Sequence, residues 1–304
     1  MSSPRVAIAG ATGNLGPAIL SNLVSTGFPV TVLTRQGSNS SSKIESHSNQ
    51  TIKEVDYSSL ESLTSALQGV DVLVSTLGGA SIPAQKLMVD AAISAGVKRF
   101  IPSEFGADTT NPKSRALPVY GGKTAIQDYL AEKAKENSNF TYTLVLNGGF
   151  FDWGCKNGFI VNIAQRSANF YDGGDRPMSV STLDTIGKGV VGVVKNLDAT
   201  KNRAVYIQDA CVTTSQLVNV AKKLDKEGKE WKIENKDTAT IEKEGYEELK
   251  KDSPNFGKAM TGFVARAMYG EGYGGDFSDK LDNDLLGIKG YNEKQVEELV
   301  GSCL

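Results

Sequence analysis

Three glycines spaced three residues apart, in Gly10-Ala-Thr-Gly13-Asn-Leu-Gly16, follow directly on the apolar run Val6-Ala-Ile-Ala and precede the helically spaced stretch Pro17–Ser25. Such a corner leaves few folds open. Gly10 can take the positive φ of a sharp turn, Gly13 lets the backbone approach a bound pyrophosphate, and Gly16 lets the helix lie close on the strand. The helix then points free N–H groups and the positive end of its dipole at the phosphates. The spacing is Gly-x-x-Gly-x-x-Gly rather than Gly-x-Gly-x-x-Gly, but the strand–turn–helix setting is the one such a turn requires. A dinucleotide is therefore expected, held at Gly10, Thr12, Gly13, Asn14, Leu15 and Gly16.

The next strand, Val30–Thr34, ends at Arg35, 19 residues beyond Gly16. A carboxylate at this place hydrogen-bonds the ribose 2′-hydroxyl of NAD, whereas an arginine pairs with the 2′-phosphate of NADP. Arg35 thus points to NADP(H), with Lys43 in the following polar loop as a second cation. Asp56, after the alternating strand Thr51–Val55, could accept a hydrogen bond from the adenine amino group or cap the next helix.

Short apolar runs continue to alternate with helical spacing. Leu60, Leu63 and Leu67 mark one helical face. Asp71–Leu77 is a β-branched strand that stops at Gly78-Gly79. Ala84–Ala95 is helical, with Leu87, Ala91 and Ile93–Ser94 near the buried face and Gly96 just past the end. Arg99–Pro102 begins a strand, Gly122–Lys135 is helical, and Tyr142–Leu146 is a sixth strand. This order predicts an α/β fold of the Rossmann type, a doubly wound parallel sheet, with strands that read as continuous apolar runs because helices cover both faces. The cofactor domain is expected over 1–150. Residues 151–304 are expected to form a smaller, mostly helical substrate-side region, partly interleaved with the sheet. There Asn169–Gly174 reads as a hairpin or strand end, Thr182–Lys195 as a helix capped near Ser181 or Thr182, and Ala204–Gln208 as a strand that could rejoin the sheet. In such sheets ligands bind beyond the carboxyl ends of the strands. Ser75, Thr76, Leu77 and Gly78 are therefore expected beside the nicotinamide ribose, with Ser103 and Glu104 at the same edge.

Composition narrows the chemistry. Of 304 residues, 22% are charged and the net charge is −2, so neither nucleic acid nor an anionic membrane is indicated as a partner. Cys155, Cys211 and Cys303 are far apart and lack Cys-x-x-Cys spacing, which argues against a disulfide scaffold and a metal site. The single histidine, His47, falls in the Ser/Asn-rich stretch Gly37–Gln50, so histidine-based acid/base chemistry is not expected. No leader segment or apolar stretch of about 20 residues is evident, and a cytoplasmic setting is expected. The oligomeric state is left open.

Gly10–Gly16, Leu33-Thr-Arg35, Lys98-Arg-Phe-Ile-Pro-Ser-Glu-Phe-Gly106 and Asn147-Gly-Gly-Phe-Phe151 together resemble the isoflavone reductase-like, NmrA-like branch of the atypical short-chain dehydrogenases, its fungal members above all. The resemblance covers about the first 210 residues well and the remainder loosely. It implies that Lys123, on the helix after the Ser-Glu-Phe-Gly loop, is the catalytic proton donor or acceptor. By spacing alone Lys123 is an ordinary helical lysine. The resemblance also implies cofactor contacts at Gln127, one turn on, and at Asn147, Gly149 and Phe150. Tyr120 lies three residues before Lys123, not the four of the Tyr-x-x-x-Lys pair of typical short-chain dehydrogenases, so it is expected in the substrate pocket or the core. Phe105, Phe151, Trp153, Tyr269 and Tyr273 could form an aromatic substrate wall and lid, or be core. The implied activity is NADPH-dependent reduction of a small specialised-metabolite-like carbonyl, enone, imine or benzylic acceptor, which could be coupled to cyclisation. The alternative is a redox sensor that binds NADP(H) and regulates a partner protein. Such sensors tend to lack the lysine.

Overall fold

Val6–Ala9 is buried at every position and is hydrogen-bonded to a parallel strand on each side, which makes it an interior strand of the main sheet. The structure, a computed structural model, describes residues 3–304. The first half runs β1 (Val6–Ala9), α1 (Gly16–Ser25), β2 (Val30–Arg35), β3 (Gln50–Val55), α2 (Leu60–Ala66), β4 (Val72–Ser75), α3 (Gln85–Ser94), β5 (Arg99–Ile101), α4 (Pro112–Arg115), α5 (Gly121–Glu136) and β6 (Thr141–Leu146). It continues with β7 (Gly149–Phe150), α6 (Phe151–Lys156), β8 (Ser167–Tyr171), β9 (Met178–Ser181), α7 (Leu183–Lys195), β10 (Arg203–Tyr206) and β11 (Ala210–Val212). The chain ends with α8 (Thr214–Leu224), β12 (Lys232–Lys236), α9 (Thr238–Leu249), α10 (Phe256–Tyr269), α11 (Asn283–Leu286) and α12 (Glu293–Gly301).

The main sheet has seven parallel strands in the order β10-β6-β5-β4-β1-β2-β3. The order reverses between β1 and β4, and an open α/β sheet forms a crevice outside the carboxyl ends of such strands. Alternation along each strand sorts side chains onto two cores. Val6, Ile8, Val72 and Val74 pack with α1 and α7, whereas Ala7, Ala9, Leu73 and Phe100 pack with α2, α3 and α5. The last strand comes from the second half of the chain, as does α7, which lies so close to α1 that a Cβ on Gly187 would meet the Ala18 carbonyl oxygen at 2.8 Å.

Three expectations need correction. β3 does not alternate between buried and exposed positions: its four middle residues are all exposed, because it is the edge strand. Leu60 is 44% exposed while Leu63 and Leu67 are fully buried, because α2 has barely begun at Leu60. The buried face of α3 is Gln85, Met88, Val89, Ala91 and Ala92, with Leu87 and Ile93 half-buried against the same core; only Ser94 is exposed, contrary to expectation.

Arg99 is 2% exposed, and its hydrogen bonds go to neutral oxygens, with the charge of Asp198 acting only from farther off. Its guanidinium donates to Thr141 Oγ1 (2.8 Å), Thr143 Oγ1 (2.8 Å), Thr200 Oγ1 (2.9 Å) and the Leu197 carbonyl (2.5 Å). Burial lowers its pKa to about 10, and the donors are matched one by one as burial of such a group requires. These bonds fasten β5 to β6 and to the segment that leads into β10.

Beyond β6, a three-stranded sheet joins β11, β9 and β7, and β8 pairs parallel with β12, so Asn169–Gly174 is a strand end and not a hairpin. Thr182 caps α7, accepting from the amide of Thr185. A third core gathers Phe151, Met178, Leu217, Trp231 and Tyr269. No helix among the described residues is long and apolar enough to cross a membrane.

Candidate active site

The glycine turn is built as its spacing requires. Gly10 has φ +85°, and a Cβ on Gly16 would come 2.2 Å from the Gly10 carbonyl oxygen. Thr12, Gly13 and Asn14 are exposed at its crest, whereas the Leu15 side chain is buried in the first core and can offer a ligand only its backbone. α1 begins with no side-chain cap and no acidic residue in its first turn. The positive end of its dipole is therefore not neutralised from within the helix, which suits a phosphate.

A cleft of about 440 Å³ opens beside this turn. Gly10–Thr12, Leu33–Arg35 and Leu77 border it, as expected from strand ends. Arg35 is exposed at the rim. The rest of the lining went unseen in the sequence: Ser38, Ser40, Ile44, Tyr57, Ala80, Ser81 and Ala84. Gly37, at φ +71°, turns the chain after Arg35 so that Ser38 Oγ donates to the Arg35 carbonyl at 2.7 Å and to Ser40 Oγ at 3.0 Å. Tyr57 donates its hydroxyl to the Leu33 carbonyl at 3.1 Å, and burial raises its pKa to about 12. The donor set fits a phosphorylated dinucleotide: an uncapped helix start, an arginine, serine hydroxyls and apolar walls.

Two expected cofactor residues lie elsewhere. Lys43 is exposed in a short 3-10 turn and does not border the cleft, because that turn brings Ile44 inward instead. Asp56 is exposed and does not cap α2, since its carboxylate accepts from the Ser58 amide (2.9 Å) and hydroxyl (2.6 Å), bonds that hold its pKa below the usual carboxylate range. Ser59 is the cap. Thr76 turns away too, donating to the Ala9 carbonyl at 2.9 Å, and Gly78 is exposed at the head of the turn that carries Ala80 and Ser81.

α5 brings the lysine to the carboxyl edge. Gly122 lies against Ile82 of the turn that lines the cleft. Lys123 Nζ donates to the carbonyl of Glu104, in the loop after β5. Burial lowers the pKa of the ammonium, and the negative charge of Glu104 opposes that shift. The loop is strained: Phe105, between Glu104 and Gly106, has φ +23°, a region that favours glycine. The Gly106 carbonyl accepts from the amides of Asn147 (3.3 Å) and Gly148 (3.0 Å), which ties the loop to the end of β6. Asn147 is fully buried, and its Oδ1 has no hydrogen-bond partner among the described residues. Ser103 is half-buried and its amide donates to Gln85 Oε1 at 2.8 Å.

Other expected contacts are turned inward. The Glu104 carboxylate is 2% exposed and accepts from Thr109 Oγ1 at 2.6 Å. Gln127 is 7% exposed, donates to Thr109 Oγ1 at 2.7 Å and accepts from Arg115 at 2.8 Å, so its amide is bonded on both sides within the protein. Gly149 is packed against Met268 and Ile160, while Phe150 is half-buried against the first core.

The aromatic wall is largely core. Phe151 and Tyr269 belong to the third core, Tyr269 stacking on Tyr171 at 4.8 Å. Phe105 joins the first core, and Tyr120 and Tyr273 a fourth with Phe263. Such rings bury more apolar area in these cores than a pocket wall would allow. Trp153 remains half-buried, 5.9 Å from the exposed Phe159 ring. The stretch from Tyr269 to Phe277 is strapped to the segment after β5: Ser114 Oγ donates to the Tyr273 carbonyl at 2.7 Å and Asn111 to the Gly272 carbonyl at 3.0 Å.

Comparison with known proteins agrees with this architecture. The sequence profile of the NmrA-like family matches residues 2–263. Oxidoreductase aprR of Aspergillus flavus is 33% identical over 99% of this chain and 98% of its own length, and oxidoreductase poxI of Penicillium oxalicum is 32% identical over 97% and 92%. Among solved structures, AtPrR2 with NADP+ and (+)pinoresinol superposes with a TM-score of 0.78 over the full length of both chains at 24% identity. The binary complex of leucoanthocyanidin reductase and NADPH from Vitis vinifera gives 0.77, covering 98% of this chain and 99% of that one at 23% identity. With its glycine turn, strand order and Ser-Glu-Phe-Gly loop all in place, the chain belongs to the NmrA-like family.

Proposed function

We propose that this protein is an NADPH-dependent reductase acting on a carbonyl, enone, imine or benzylic carbon of a small organic acceptor. The observation that carries this reading is the placement of Lys123. Its ammonium lies at the carboxyl edge of the sheet, on a helix that abuts the cofactor-sized cleft, and burial has made it a readier proton donor. Full-length likeness to two fungal proteins named oxidoreductases supports the same reading.

NADPH, when bound, supplies the hydride, and the protein supplies orientation and electrostatics. Arg35 would pair with the 2′-phosphate, and the uncapped start of α1 would face the pyrophosphate. Lys123 Nζ holds or moves the proton that accompanies reduction.

Two measurements test the proposal. Fluorescence titration should show NADPH bound in preference to NADH, with Arg35→Ala weakening NADPH by about 10- to 100-fold, the worth of a charge-assisted bond, and leaving NADH nearly unchanged. Equal losses for both cofactors would remove the assignment of Arg35. The second measurement follows NADPH oxidation with acceptors of the four classes. A protein that binds NADPH and reduces none of them is a cofactor-holding sensor instead.

A further inference from the structure

Lys123 bonds to the carbonyl of Glu104 although that residue's own carboxylate is close enough to act on its charge. A carboxylate is the better partner for an ammonium, so something must hold it away. The structure shows what does. Glu104 Oε2 accepts a 2.6 Å bond from Thr109 Oγ1, and Thr109 Oγ1 accepts a 2.7 Å bond from Gln127 Nε2. Gln127 Oε1 accepts from Arg115 Nη1 at 2.8 Å, and Arg115 Nη2 is anchored on Asp128 at 2.5 and 2.6 Å. Glu104, Thr109 and Gln127 are all under 9% exposed.

The chain of donors has one direction. Arg115 can only donate, which turns the Gln127 amide so that its NH2 faces Thr109. Thr109 Oγ1 then accepts from Gln127 and has a single proton to give, which goes to Glu104. Gln127 lies one turn beyond Lys123 on the same helix. α5 therefore grips the loop after β5 at two points, the Glu104 carbonyl by Lys123 and the Glu104 carboxylate through Thr109.

We propose that Thr109, Gln127 and Arg115 form a positioning relay that keeps the Glu104 carboxylate turned away from Lys123, so that the ammonium is held by a neutral carbonyl and stays available for proton transfer. The inference rests on the reading of Lys123 as the proton-transfer group. The ionisable group whose charge acts on this ammonium is Glu104, on the loop after β5; the phenol of Tyr120, in the turn before α5, is raised by burial and by the same Glu104 charge. Arg115 and Asp128 stand at the far end of the relay.

Trace acetylation of the full-length protein across a pH series, with the Lys123 peptide quantified by mass spectrometry, tests the relay without a substrate. Thr109→Val keeps the shape of the side chain and removes the hydroxyl. The released carboxylate is expected to pair with the ammonium and move the Lys123 labelling midpoint up by about one pH unit. Thr109→Ser retains the hydroxyl and should restore the wild-type midpoint. Gln127→Leu, which leaves Thr109 without its donor, should shift the midpoint in the same direction by less. With an accepted substrate, the pH profile of kcat should move in step with the labelling midpoint while the KM for NADPH stays unchanged.

An unmoved midpoint in a Thr109→Val protein with a native circular-dichroism spectrum overturns the relay, as does a Thr109→Ser protein that behaves like the valine variant. If Thr109→Val fails to fold, Gln127→Leu decides by the same measurement. A midpoint that moves without any change in the kcat profile upholds the relay and refutes the catalytic reading of Lys123.

Discussion

Lys123→Met is expected to lower NADPH-dependent turnover by about 10²- to 10⁴-fold, some 3–5 kcal/mol of barrier, while NADPH still binds with near wild-type affinity. Methionine retains most of the apolar stem that α5 buries and removes the ammonium, so packing is disturbed little and proton transfer is lost. The Glu104 carbonyl loses a donor, a cost to stability that a thermal melt would register separately. Turnover and cofactor binding must be measured on the same preparation. Turnover within threefold of wild type would remove Lys123 from the mechanism, and joint loss of turnover and binding would make it a cofactor ligand only.

Gly16→Ala should act on the fold and the cofactor together. The added Cβ would stand 2.2 Å from the Gly10 carbonyl oxygen, 2.6 Å from Ala11 Cα and 2.7 Å from the Ala11 carbonyl carbon, all of them backbone atoms. No side chain can swing aside, so α1 must move off the turn. Overpacking of this kind costs about 1–3 kcal/mol, and displacement of the helix start should weaken NADPH at least about 100-fold. Gly13→Ala is the contrasting variant. Its Cβ would meet nothing nearer than the Gly10 carbonyl oxygen at 3.5 Å. Its melting temperature should stay close to wild type, and any loss of NADPH affinity would then report a phosphate lying against Gly13. A Gly16→Ala protein that melts and binds NADPH like wild type would show that the turn can shift freely.

The two variants also show how the fold could be read from the chain. Gly10, Gly13 and Gly16 act within one corner, so their spacing carries both the conformation and its purpose. The strands around β1 were legible because side chains buried on both faces must be apolar. The exposure of β3 is not legible in the same way, because an edge strand faces water and nothing local says which strand ends a sheet. Thr182 could be placed at the start of α7, since a cap acts on the next turn only.

The site divided along the same line. Arg35 could be assigned to the cofactor cleft because the carboxyl end of a strand fixes where its last residue stands. Ser38, Ser40, Tyr57, Ala80 and Ser81 reach that cleft from separate loops, and no spacing in the chain relates them. Lys123 was singled out by resemblance, since a lysine in a helix looks the same whether buried or exposed. Its surroundings depend on Glu104, 19 positions earlier. Gln127 is assigned to the cofactor only by resemblance, and its amide is bonded within the protein; for Phe151, Tyr269 and Tyr273 local pattern leaves substrate wall and core both open, and packing puts them in cores.

The glycine corner, the alternation of strands and helices and the arginine after the second strand were determined by the sequence alone. Each rests on backbone geometry or burial period within a few residues, and those interactions are complete before distant parts of the chain meet. Which aromatic rings fill cores, which hydroxyls line the cleft and which way the Glu104 carboxylate faces were decided only by the tertiary structure. Those outcomes depend on competition between partners far apart in the chain, and the winner is set by packing and by the matching of donors to acceptors.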